Sequence, residues 1–280
     1  MAGNTYKLYG RPNAGSLAPQ IVLEEIGAPY EMIWVSKAPA DVAVLRQVNP
    51  TGKIPALVLP DGTPVFESAA ILIHLTQAHP AANLAPPAGS TAHARFLQWM
   101  LFLSSSVYES CLMSYYSERY STSGPAAATE IKQQAAADYA HYLELIHGAL
   151  SPYVLGENLS AADPYLYMLA GWYPGDVAAL QARLPKLVQH GELLRRRAAT
   201  RKAEQAHSKG RLPPPRSGRR CGFSRSVRSG TNRMGAVVPT SQTIFVHEEV
   251  VDARELDLDL IRIGLRAFDD GNHSKHRKPS

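Results

Sequence analysis

A chain of 280 residues, 45% hydrophobic and 19% charged, can bury one large core or two modest ones. No apolar run reaches the roughly 18 residues of a membrane-spanning helix, and no charged-then-apolar signal peptide opens the chain. Cys111 and Cys221 are isolated, which excludes a disulfide framework and a Cys-x-x-Cys site and fits a reducing cytoplasm. The net charge of +5 is unevenly spread: acids and bases nearly balance through residue 207, and the basic surplus falls in 208–280.

Tyr6-Lys7-Leu8-Tyr9 reads as a short strand, followed by a loop of turn residues from Gly10 to Ser16. Leu17, Ile21, Leu23 and Ile26 have helical spacing, and Gly27 is a natural stop. Tyr30 to Val35 is a second strand, and Asp41 to Gln47 a weak helix. A strand, a helix and another strand in this order imply parallel pairing of the two strands.

Asn49-Pro50-Thr51-Gly52 is a tight turn, since Pro fixes one φ and Gly permits a positive one. A short apolar strand, Ala56 to Leu59, begins directly after Pro55, which cannot donate to a ladder. A cis peptide at Ile54-Pro55 costs only about 0.5–1 kcal/mol and turns the Ile54 N–H and C=O away from their own sheet. Pro60-Asp61-Gly62 makes a hairpin turn, and Pro64-Val65-Phe66 returns as an edge strand. Glu67-Ser68 then opens a helix with Ser68 as its N-cap and Ile71, Leu72 and Leu75 behind it. Free backbone groups beside a carboxylate and a helix N-terminus suit an extended peptide with a free amine and a free carboxylate.

Beyond a proline-bearing linker the strand signals stop for more than a hundred residues, until Leu256, Leu258 and Leu260 alternate like a strand. Arg95 to Tyr116 reads as one helix, with Phe96, Trp99, Leu103 and Val107 on a stripe, and Ala126 to Leu150 as a second. Ser160-Ala161-Ala162-Asp163 is a capping box, with Pro164 in the first turn where its missing N–H does no harm. The box starts either a surface helix or a buried one. Val177 to Gln189 and Glu192 to Ala206 follow as shorter helices. From residue 208 the composition becomes rich in Pro, Gly and Arg, which predicts a largely disordered extension. It lacks the aromatic interleaving of a nucleic-acid-binding arm.

The turn, the Ile54-Pro55 step and the Glu67-Ser68 pair, in this order and spacing, resemble the cytosolic glutathione transferases. Tyr6 to Leu23 is most similar to their bacterial beta class. The resemblance spans about 6–207. It implies an α/β thioredoxin-like domain (1–80), a linker (81–90) and an all-α substrate domain (91–207), with 208–280 left as an unassigned extension. It further implies a cytoplasmic homodimer that activates glutathione as co-substrate, without metal, for conjugation to an electrophilic small molecule. A glutathione-dependent lyase or reductase is the alternative enzyme, and a non-catalytic binding or regulatory protein the alternative of another class.

On this resemblance Lys53, Ile54, Pro55, Glu67 and Ser68 hold glutathione. Glu67 takes its amine, Ser68 its γ-glutamyl carboxylate, and Lys53 either the other carboxylate or only solvent. The beta class carries its catalytic cysteine where this chain has Gly15, so a hydroxyl must stabilise the thiolate instead. Lowering a thiol pKa by two units needs about 2.7 kcal/mol of differential interaction. Ser16, where serine-dependent classes place their hydroxyl, is the expected catalytic donor; as an N-cap it would do no chemistry. Tyr9 is the fallback. Tyr108 and Trp172 are expected to wall the second-substrate site, or to be plain core.

Overall fold

In the computed structural model, which describes residues 5–209, strand β1 (Tyr6–Gly10) pairs in parallel with β2 (Tyr30–Trp34). Tyr6, Leu8 and Gly10 point inward while Lys7 is exposed, the period of two that a strand imposes. The crossover between them is helix α1 (Leu17–Ile26), stopped by Gly27 at φ 66°, whose N–H returns to the carbonyls of Leu23 and Glu24. Helix α2 (Pro39–Leu45) starts earlier than Asp41 because Pro39 fits a first helical turn. Strands β3 (Ala56–Val58) and β4 (Pro64–Phe66) complete a mixed sheet in the order β2-β1-β3-β4, with β3 antiparallel to both neighbours. Helix α3 (Ser68–Ala78) follows, and here one expectation is corrected: Glu67 occupies the N-cap position and Ser68 the first helical turn. The thioredoxin-like order of elements is the expected one.

The second half is helical. The helix expected over Arg95 to Tyr116 is interrupted. Helix α4 (Thr91–Phe102) passes through a π-turn (Leu103–Val107) into α5 (Tyr108–Tyr115). The π-turn holds Ser104, Ser105 and Ser106, and the Ser105 hydroxyl bonds back to the Leu101 carbonyl. Such back-bonding competes with the helical ladder and bends it. Helix α6 (Pro125–Ala149) and α7 (Ala162–Ala170) come next. The two helices expected after Val177 are three: α8 (Val177–Arg183), α9 (Pro185–Arg195) and α10 (Ala198–Lys209). Pro185 forces the first break, because Leu184 before it leaves the helical region at φ −120°, ψ 59°. Helix α10 also runs past the boundary expected at residue 207, since His207 is buried. The remainder of the expected extension lies outside the described residues.

One core runs through both halves, from Leu8, Val22 and Leu72 to Phe96, Met100 and Leu166. Helix α1 carries the junction, packed on α3, α7 and α10. Ile21 meets Tyr167, Leu194 and Ala203 there, and Arg197 grips Glu25 through two nitrogens. Phe96 is fully buried; burial of such a side chain contributes about 1.5–3 kcal/mol.

The capping box is buried rather than superficial. Asp163 Oδ2 accepts from the Ser160 N–H at 2.7 Å and the Ser160 hydroxyl at 2.9 Å. Its Oδ1 accepts from the Val154 N–H at 2.8 Å and faces His190 Nε2 at 3.0 Å. Ser160 thus donates its hydroxyl to the acid itself. A lost cap costs about 0.5–2 kcal/mol, but a broken buried pair costs about 3–5 kcal/mol. Asp163→Ala is therefore expected to lower unfolding free energy by the larger amount, read from a urea transition. A shift within the smaller range would show that His190 contributes nothing to the anchor.

Candidate functional site

The residues ahead of β3 are held by a side chain. Asn49 is buried, its Oδ1 accepts from the N–H and hydroxyl of Thr51, and its Nδ2 donates to the Lys53 carbonyl at 2.7 Å. Gly52 takes the left-handed conformation at φ 67° that closes the turn. The chain then enters β3 through Ile54-Pro55, which is cis, one of the ways a proline can precede a strand.

Strand register gathers the site. Ala56 pairs with Phe66 and with Tyr9, so one step further Pro55 lies between Gly10 on one side and Glu67 on the other. The loop before α1, the cis-proline and the start of α3 therefore share one end of the sheet. Glu67 is exposed and held at φ 72°, a left-handed conformation strained for a non-glycine residue. Ser68 is buried beside it, and Lys53 is exposed.

The helical half reaches this end of the sheet with two phenols. A Cβ built on Gly15 would lie 2.6 Å from Tyr108 Oη, 3.3 Å from Pro55 Cδ and 3.7 Å from the Ile54 carbonyl oxygen. The Tyr108 hydroxyl thus fills the space that a side chain at position 15 would take. Its ring is wedged between Tyr165, edge-on at 6.4 Å, and Trp172 at 5.7 Å. Trp172 lies just past α7, its carbonyl accepting from the Tyr115 hydroxyl at 3.0 Å. Tyr165 itself is fully buried, its hydroxyl among those of Ser104 and Ser68 without reaching strict hydrogen-bond geometry. Burial pushes the phenols of Tyr108 and Tyr165 well above their ordinary range, so both stay protonated as donors. Tyr165 was not anticipated; the available signal was a phenol inside the apolar run behind the capping box, since a buried phenol seeks a polar partner.

The Ser16 hydroxyl faces the protein interior. The residue is fully buried at the start of α1, makes no capping bond, and its Oγ donates to the Arg11 carbonyl at 3.4 Å. The hydroxyl is tucked under β1, where a Cβ on Gly10 would meet it at 2.2 Å. Tyr9 packs with Val35, Leu45 and Ala56. The Cys111 thiol is buried and pushed up to about 12, which leaves it inert at neutral pH. Beside Trp172 opens a cavity of about 370 Å³ between Asn13 and Leu17 on one side and residues of α7, α9 and α10 on the other.

Helix α10 also clamps the loop before α1. The Asn13 N–H donates to His207 Nδ1 at 3.0 Å, with Asn13 at φ 52°, and the His207 ring meets Trp34 edge-on at 5.2 Å. Burial lowers the His207 pKa to about 4, so its Nδ1 lone pair stays available to Asn13.

A family model described as the N-terminal domain of glutathione S-transferase matches residues 16–78. An uncharacterized GST-like protein, YncG of Escherichia coli, is 30% identical over 175 residues, 60% of this chain and 82% of its own. Among solved structures, a sphingomonad glutathione S-transferase complexed with glutathione is 31% identical, with a TM-score of 0.61, covering 72% of this chain and 99% of that one. A glutathione transferase homolog from Sulfitobacter with bound glutathione is 27% identical, with a TM-score of 0.65, over 72% of this chain and 98% of its own.

The His207 clamp has a pH signature. The unfolded histidine titrates near 6.5 and the folded one near 4, so between these values the unfolded state holds the extra proton. Stability is then fully present above pH ~6.5 and falls as pH drops toward ~4, with a limiting slope of about 1.4 kcal/mol per pH unit. Urea transitions across that window should show the slope in the parent protein and a smaller one in His207→Gln. Identical slopes would remove the clamp from the account.

Proposed function

The chain belongs to the glutathione S-transferase family, and on that premise we propose that it binds glutathione at the cis-proline end of the sheet and conjugates it to an electrophilic small molecule. The observation that carries the reading is the convergence of the Ile54-Pro55 step, the Glu67-Ser68 pair and the Gly15 face at one edge of the fold. An extended γ-glutamyl tripeptide fits that edge by its chemistry. Its amine meets the Glu67 carboxylate, its α-carboxylate meets Ser68 at the N-terminus of α3, and its backbone pairs with Ile54. Lys53, exposed on the adjoining turn, neutralises the far carboxylate. The sulfur then falls toward Gly15 and Pro55. The electrophile is taken beside Tyr108 and Trp172, whose rings stand 5.7 Å apart. A cytoplasmic homodimer is part of the same reading; among the described residues no helix is long and apolar enough to cross a membrane.

A second reading, a glutathione-binding protein without turnover, draws on Gly15, which offers no side chain for chemistry. A conjugation assay separates the two. Retention on glutathione resin with turnover of a chlorodinitrobenzene electrophile supports the transferase, and retention without turnover supports the binding protein.

Glu67→Ala should weaken glutathione binding by about 1.5–3 kcal/mol, the range for hydrogen bonds to charged groups, with little change in folding. A calorimetric titration with unchanged affinity would take Glu67 out of the site.

A further inference from the structure

We propose that Tyr108, from the helical half, is the hydroxyl that stabilises the glutathione thiolate, standing where the sequence lacks a side chain at position 15. The inference rests on the glutathione reading above and adds to it the group that acts on sulfur. Three features of the structure carry it. The Tyr108 Oη lies 2.6 Å from where a Gly15 Cβ would be, with Pro55 on the same spot at 3.3 Å. Among the described residues this Oη makes no hydrogen bond, so its proton is uncommitted. The ring is fixed by Tyr165 and Trp172.

Local structure explains how a residue of the second half comes to point there. The π-turn Leu103–Val107 inserts one residue ahead of Tyr108. One residue is about 100° of helix, so Tyr108 is turned off the stripe that Phe96 and Leu103 bury. π-turns are frequent at functional sites. Ser16, by contrast, spends its proton on the Arg11 carbonyl.

The chemistry balances simply. The S–H proton of glutathione leaves to solvent, and Tyr108 keeps its own proton, donating a hydrogen bond to the sulfur anion. A sulfur lone pair forms the C–S bond to the ring of a chlorodinitrobenzene, and chloride departs with the bonding pair. A donor of this kind acts on the ionised sulfur and hardly on the thiol, so it moves the thiol pKa more than ground-state binding. Other titrating groups around the phenol are Tyr165 on α7, Glu109 and Cys111 on α5, and Tyr116 just beyond.

The test is Tyr108→Phe in the full chain, with glutathione as ligand. Thiolate absorbance of the bound complex against pH should show the thiol pKa raised by about one unit, tenfold in the ionisation constant. Turnover of the chlorodinitrobenzene at neutral pH should fall by about tenfold and recover at higher pH, while glutathione affinity measured below the thiol pKa stays within twofold. Gly15→Ala gives a second route, since its methyl must push the phenol aside, and it should raise the thiol pKa likewise. An unmoved pKa in Tyr108→Phe overturns the assignment. If Ser16→Ala raises that pKa instead, the role passes to Ser16. A parent protein that binds no glutathione removes the glutathione reading itself, and this inference with it.

Discussion

Position 15 cannot carry a side chain while Tyr108 stands where it does, and the site depends on that constraint. The thioredoxin-like half supplies a groove bounded by a cis-proline, a strained glutamate and a helix N-terminus. At the point where those elements meet, it brings the Pro55 ring and the Ile54 carbonyl. The phenol that fills the point comes from the other half of the chain, so the proposed site is complete only when the two halves dock. That docking is built for permanence. One core runs through both halves, α1 is packed on α7 and α10, and Glu25 and Glu24 of α1 pair with Arg197, just before α10, and Lys202 on it.

The same elements serve stability and function. Helix α7 holds Asp163, which ties the loop at Val154, the turn at Ser160 and His190 of α9 into one buried cluster. Two residues on, the helix presents Tyr165, which braces Tyr108 and lies beside Ser68. Helix α10 holds the loop before α1 through His207 and Asn13. Anything that loosens α7 or α10 therefore displaces the parts of the groove that the sheet does not control.

Much of the first half was legible in the sequence because its signals are local. Pro55 ahead of a strand, Gly52 in the turn and Gly27 after a helix each restrict φ or hydrogen bonding on the spot, and the structure follows them. The second half was less legible. Back-bonding by Ser105 accompanies a π-turn in what reads as one continuous stripe, and Pro185 broke a helix that composition alone lets run. The position of Tyr108 depends on that π-turn and on contacts with residues about sixty positions away, which no periodicity reveals. The orientation of Ser16 was equally illegible. Its place in the sequence suited a donor, but its hydroxyl turns under β1 because Gly10 leaves room for it there.

The thiol end of glutathione is expected to lie between Pro55 and the Tyr108 hydroxyl. A crystal structure of the protein with glutathione tests this directly. The sulfur should lie within about 3.5 Å of Tyr108 Oη, with the γ-glutamyl end on Glu67 and Ser68. A sulfur that faces Ser16, or one that points into solvent away from Gly15, would contradict it.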